Sequence, residues 1–203
     1  MNIKTLTLSL AGALVFTACQ QPSAEIKTTD GPELFGVTEK GDTIRLYTLS
    51  NTNGMELDVI NYGGIITAIR TPDKNGKTAD VVLGFDNLKD YEGDNPFFGA
   101  LIGRYGNRIA KGKFTLDSTE YNLPVNNEPN SLHGGPMGFH KVVWSAAPFK
   151  NGNGEGIKLT YLSPDGDMGY PGNLTATVTY LLTAANAIEV TYEATTDKKT
   201  VEN

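Results

Sequence analysis

The sequence predicts an all-β chain, an antiparallel sandwich or barrel, on three observations. Short runs rich in β-branched and aromatic residues recur from Glu33 almost to the C-terminus. Turn signals stand between them at Asn53-Gly54, Asn75-Gly76, Asn151-Gly152, Asn153-Gly154 and Pro164-Asp165-Gly166, and Asn-Gly favours the positive φ angles of tight hairpins. No long amphipathic helical pattern, internal repeat or low-complexity tract interrupts the series.

Taken in order, "TIRLYTL" from Thr43, "MELDVINY" from Met55 and "IITAIR" from Ile65 open the series with partial alternation. "DVVLGF" from Asp80 continues it, and "NLKDYEGD" from Asn87 supplies one helical turn. After these come "GKFTLD", "TEYNL", "VVWSAAPF", "GIKLTYLS", "LTATVTYLLT" and "AIEVTYEAT". Two longer loops, "GRYGNRIAKGK" from Gly103 and "NSLHGGPMGFHKVVW" from Asn130, carry the least ordinary residues. Loops on a rigid β scaffold are where binding groups are most often mounted.

The first 18 residues form a separate unit. Lys4 precedes an apolar run from Leu6 to Ala18, too short for a membrane-spanning helix of about 20 residues. It matches the apolar region of a secretory signal. "FTAC" then resembles a bacterial lipobox, with Phe16 where leucine is commoner. Cys19, the only cysteine of the chain, sits where a lipobox needs it. The expected mature protein begins at lipidated Cys19 and is held by that anchor at a membrane of the bacterial cell envelope, facing the periplasm or exterior. Residues 19–32 read as a polar tether and 33–203 as one domain, expected to be a monomer.

Composition removes several function classes. A lone cysteine forms no intramolecular disulfide and no Cys-rich zinc site. The net charge is −6, without basic clusters, which argues against a nucleic-acid partner. Nucleotide-binding glycine fingerprints, a His-Glu-x-x-His metal motif and a Gly-x-Ser-x-Gly nucleophile elbow are absent. Asp165 and Asp167 suggest calcium ligands, but the calcium-loop pattern is not completed and turn formation is the better account. Calcium is left open; no metal ligands are assigned.

The residues able to carry chemistry are few. Asn107 beside Arg108 offers several donors and one acceptor to a polyhydroxylated ligand. The competing reading makes Arg104 or Arg108 a loop anchor that bonds backbone carbonyls. His133, followed by Gly134 and Gly135, has the side chain best suited to proton transfer near neutrality. The glycines let backbone or ligand approach closely. His140 enters a strand in "GFHKVVW", where it can face solvent, and Trp144 is expected in the core.

"GALIGRYGNRIAKGKF", "NEPNSLHGG", "GFHKVVW" and "SPDGDMGYPGNL", in that order, resemble the aldose 1-epimerases, the galactose mutarotases. "NYGGIITAI" and "DVVLGFDNLKDY" fit the same pattern. The resemblance implies a large antiparallel β-sandwich, the mutarotase-like supersandwich, with an open cleft for a free hexose such as galactose or glucose. It implies anomer interconversion with no required cofactor, Asn107 and Arg108 as substrate contacts, and His133 as the first of two active-site histidines. It also implies a second histidine, a binding aspartate and a general-base glutamate downstream of "TTDKKTVEN". The chain is therefore expected to be the N-terminal part of such an enzyme, inactive by itself; if a base lies within it, Glu128 is the first suspect. The alternative from another class is a non-catalytic carbohydrate-binding lipoprotein.

Overall fold

The computed structural model describes residues 31–203. Cys19, the apolar leader and nearly all of the polar tether lie outside the described residues. Five strands form the first sheet in sequence order: β1 (Glu33–Val37), β2 (Thr43–Ser50), β3 (Glu56–Ile60), β4 (Ile66–Pro72) and β5 (Thr78–Asp80). A five-residue helix, α1 (Leu88–Glu92), follows, its first turn capped by Asn87, whose Oδ1 accepts the Asp90 amide at 3.1 Å. Two short ribbons come next. One pairs β6 (Arg108–Ile109) with β9 (Ser131–Leu132), and the other pairs β7 (Lys113–Leu116) with β8 (Thr119–Asn122). The second large sheet orders β10 (Ser145–Asn151), β11 (Gly154–Ser163), β12 (Leu174–Thr183) and β13 (Ile188–Thr196). Every pairing is antiparallel.

The two large sheets pack as a sandwich because their inner rows are apolar at period two. On β12 the row Leu174, Ala176, Val178, Tyr180, Leu182 is buried, while the residues between are half-buried. With Ile157 and Leu159 of the neighbouring β11 it meets Leu49, Leu57 and Val59 of the first sheet, and Met55 and Trp144 belong to the same core. Each fully buried Leu or Val contributes about 1.5–3 kcal/mol relative to exposure. Trp144 belongs to this core, as expected, and its Nε1 donates to the Phe139 carbonyl at 3.2 Å. Beyond β12 the inner row of β13 lacks cover, so that Tyr192 stays 68% exposed.

Two sequence expectations need correction. "DVVLGF" is no strand past Asp80. The Asp80 carboxylate accepts the Ile69 and Val82 amides, taking the place of the next ladder carbonyl. Val81 and Leu83 then lie at the surface. His140 does not enter a strand or face solvent. It sits in a one-turn 3₁₀ segment, Phe139–Lys141, and is buried.

Arg104 ties the loops at one end of the sandwich together. It is 2% exposed, and its guanidinium donates to Ser163 Oγ, to the carbonyls of Ser163, Pro164, Pro171 and Gly172, and to Thr200 Oγ1. Of the two arginines that sequence offered as loop anchors, this is the one that anchors. Burial lowers its pKa, but an arginine stays charged. The chain also returns here: Asn203 donates its amide to the Arg104 carbonyl and accepts from the Gly106 amide, both at 3.1 Å. Asp165 and Asp167 are used in the neighbouring turn. Asp165 accepts from Gly172 N and Lys198 Nζ, and Asp167 from Ser163 Oγ.

Lysine at position 104 has three donors and no planar fork, so it leaves several buried carbonyls unpaired. Arg104→Lys is expected to cost about 3 kcal/mol or more, read as a lowered midpoint in urea unfolding. A loss below 1 kcal/mol would remove Arg104 from its anchoring role.

Candidate active site

The β6–β9 ribbon decides which loop residues meet. Its register sets Arg108 opposite Leu132, which places the preceding Asn107 opposite the following His133. The two exchange hydrogen bonds. The His133 amide donates to the Asn107 carbonyl at 2.9 Å, and the Asn107 amide donates to His133 Nδ1 at 3.1 Å. An Nδ1 that accepts carries no proton, so the neutral ring has its hydrogen on Nε2. The fold thus selects the tautomer.

Arg108 is exposed and aimed by two side chains. Its Nε donates to Asn127 Oδ1 at 2.8 Å and its Nη1 to Asn107 Oδ1 at 3.1 Å. Its other N–H groups have no partner among the described residues. Asn126 stabilises the opposite strand by acting as a backbone mimic: its amide oxygen accepts from Leu132 N and its amide nitrogen donates to Leu132 O. Asn107, Arg108 and His133, chosen from sequence, are therefore brought together. Asn126, Asn127 and Phe97 were missed. The signal for the first two was the cluster of amides in "NNEPN", whose partners only the register reveals.

Phe97 stands edge-on to two imidazoles, with its ring centre 4.8 Å from His133 and 4.8 Å from His140. Burial first, then the Arg108 charge, lowers the His133 pKa below its ordinary 6.5. His140 is pushed down to about 4, by burial first and then by the charges of Lys141 and His133. Both rings are neutral at pH 7. Among the causes acting on His133 there is no carboxylate, and Glu128 is exposed with no hydrogen bond to the ring.

The two glycines after His133 serve the backbone. A Cβ on Gly134 would stand 1.8 Å from the Gly103 carbonyl oxygen, and one on Gly135 would press on Met168. Both glycines are buried, with φ of 82° and 99°. The close approach that their small size permits in this structure is of one loop to another.

Beside this network opens a cleft of about 500 Å³, lined by Phe97, Asn126, Asn127, Leu132, His140 and Lys141. Lys141 separates it from a cavity of about 550 Å³ between the β1–β2 turn and α1. Neither cavity has Asn107, Arg108 or His133 on its walls; the smaller one is lined by their direct partners, Asn127, which accepts from Arg108, and Phe97, which packs on His133. Among the described residues no cluster of three or more His, Cys, Asp or Glu forms a metal site.

The family model for aldose 1-epimerase matches residues 45–203. The galactose mutarotase of Rattus norvegicus is 47% identical over 149 residues, 73% of this chain and 42% of that protein. The aldose 1-epimerase of Escherichia coli is 40% identical over 158 residues, 78% of this chain and 45% of that one. The crystal structure of a galactose 1-epimerase from Lactobacillus acidophilus superposes with a TM-score of 0.75 at 28% identity, covering 85% of this chain and 50% of that chain. The chain spans less than half the length of the curated relatives it matches. With a family match over most of its length and relatives at this identity, the chain belongs to the aldose 1-epimerase family.

Proposed function

We propose that the protein of which these residues are part interconverts the α and β anomers of a free aldohexose such as galactose or glucose. The observation that carries this reading is the His133 ring held by Asn107 with no hydrogen-bond partner on Nε2 among the described residues, joined through the ribbon to an aimed Arg108. In mutarotation the O1 hydroxyl gives up its proton while the ring oxygen gains one, and the C1–O5 bond opens. The C1–C2 bond then turns, and O5 adds back to the other face of the carbonyl. His133 Nε2–H keeps its proton and hydrogen-bonds O5 as negative charge develops there. The proton that leaves O1 reaches O5 through the base and water, and Arg108 with the Asn107 side-chain amide nitrogen holds ring hydroxyls. The sequence of bonds needs no electron transfer, so no redox cofactor has a part in it.

The proton on O1 needs a base. No carboxylate among the described residues hydrogen-bonds His133, Glu92 and Asp94 line the neighbouring cleft, and this reading assigns the base to none of the described residues. In this reading the 203-residue chain by itself is expected to give no acceleration of mutarotation in polarimetry. A carbohydrate-binding protein without turnover would keep the same cleft, and activity separates the two.

Polarimetry on freshly dissolved α-galactose with the whole protein tests the activity; mutarotation no faster than in buffer would end the proposal. His133→Ala is expected to lower kcat by about 10² or more, the scale of a donor to developing charge. Arg108→Ala is expected to raise KM as well.

The pH dependence has a definite sign. Protonating His133 puts a hydrogen on Nδ1 and breaks the bond from Asn107 N, so acid removes the active form. Because burial and Arg108 lower its pKa, the acid limb of kcat/KM for the free enzyme is expected below pH 6.5. A limb above 6.5 would contradict the tautomer assignment.

The anchor at Cys19 is also proposed, on the "FTAC" pattern. In a bacterial host, wild-type protein is expected in the membrane fraction and Cys19→Ser in the soluble one. Wild-type protein already soluble after secretion would end it.

A further inference from the structure

We propose that His140 is a positioning residue for His133, acting through Phe97 as a wedge between the two rings. The inference rests on the reading of His133 as the sugar's hydrogen-bond donor.

The geometry of Phe97 is the first observation. Its ring meets His133 at an interplanar angle of 72° and His140 at 70°, each with centres 4.8 Å apart. These are edge-to-face contacts of the favoured kind. Its backbone is left-handed, with φ of 63°, a conformation that costs a bulky residue about 1 kcal/mol or more. The Asn95 side chain holds the Phe97 amide there at 2.9 Å, and Ala100 N donates to its carbonyl. Asn107 and His133 share the sign, with φ of 57° and 53°. Three of the eight non-glycine residues with positive φ among those described thus meet at one place. Such strain persists only where the surroundings over-determine it.

The second observation is that His140 is the fixed partner. On one side Phe139 is in the sandwich core against Trp144. On the other, Lys141 Nζ donates to the carbonyls of Tyr91, Glu92 and Gly93 at the end of α1. Gly63 lies so close that a Cβ there would stand 2.5 Å from the His140 carbonyl oxygen. His133, by contrast, is half-buried at the cleft. Position therefore passes outward, from His140 to Phe97 to His133.

The third observation is what His140 lacks. Its buried Nδ1 has no hydrogen-bond partner among the described residues. A histidine retained only for the fold would ordinarily have a hydrogen-bond partner on a nitrogen so buried. The contact that accounts for the ring is the aromatic one. Burial keeps it neutral, so it adds no charge beside Arg108, Lys141 and His133.

The test reads the His133 ring directly, without sugar. The 203 residues hold two histidines, and in the whole protein the His133 signals are assigned by their loss in His133→Ala. Long-range ¹H–¹⁵N spectra of wild type are expected to give one Nε2–H tautomer for His133, titrating below 6.5. In His140→Ala and in Phe97→Ala the two ring nitrogens are expected to average toward a tautomer mixture, and the pKa to rise to within a few tenths of the ordinary 6.5. His140→Phe, which keeps a flat ring against Phe97, is expected to restore the single tautomer. If His140→Ala does not fold, Phe97→Ala in its half-buried loop gives the same reading. An unchanged His133 tautomer and titration in Phe97→Ala overturns the proposal, as does a His140→Ala protein that merely melts lower with the ring unaltered. Failure of the mutarotase assignment would leave these spectra as they are, so the two readings fall separately.

Discussion

The Arg104 guanidinium is the interaction on which the rest of this structure depends. One buried cation draws together carbonyls from the turn after β11, the residues before β12, and a hydroxyl near Asn203. Carbonyl oxygens at such a loop junction would otherwise be buried without donors, each at a cost of about 1–3 kcal/mol. Because Arg104 is itself part of the site loop, the same bonds that stabilise the junction hold Asn107 and Arg108 in place. Three residues separate the two arginines, and their fates are opposite: one is 2% exposed, while the other is exposed. The first organises carbonyls so that the second has none to satisfy.

Most of the fold was legible because its strands follow the simplest rule available. "LTATVTYLLT" alternates perfectly enough that burial on β12 reproduces the pattern residue by residue. The helical turn at Leu88–Glu92 was legible in "NLKDYEGD", and the structure adds Asn87 as its cap. "DVVLGF" misled because its composition is that of a strand, whereas one carboxylate at its first residue ends the ladder. No propensity contains that information. The two-residue strands β6 and β9 were invisible for a related reason: a pairing that short has no period.

The site was half legible. Residue type and motif order brought forward Asn107, Arg108 and His133, and the ribbon register joins them. Sequence could not rank Arg104 against Arg108, since only burial distinguishes an anchor from a contact. It also placed His140 on the surface. The fragment "GFHKVVW" suggests a strand entry, but Gly138 and the packed Phe139 turn the chain through a 3₁₀ segment and carry the imidazole inward. Phe97 was not found at all, because its left-handed backbone is a tertiary imposition.

The close stacking of Gly134 on Gly103 leaves no slack between the two loops that bear Asn107 and His133. Loops so interlocked have little freedom to adapt around an incoming molecule, and little conformational entropy left to lose when one arrives. A main chain so packed resists rearrangement at this end of the sandwich. Variation in what the neighbouring cleft accepts must then come from the tips of its side chains, because the backbone beneath them has no second shape to offer.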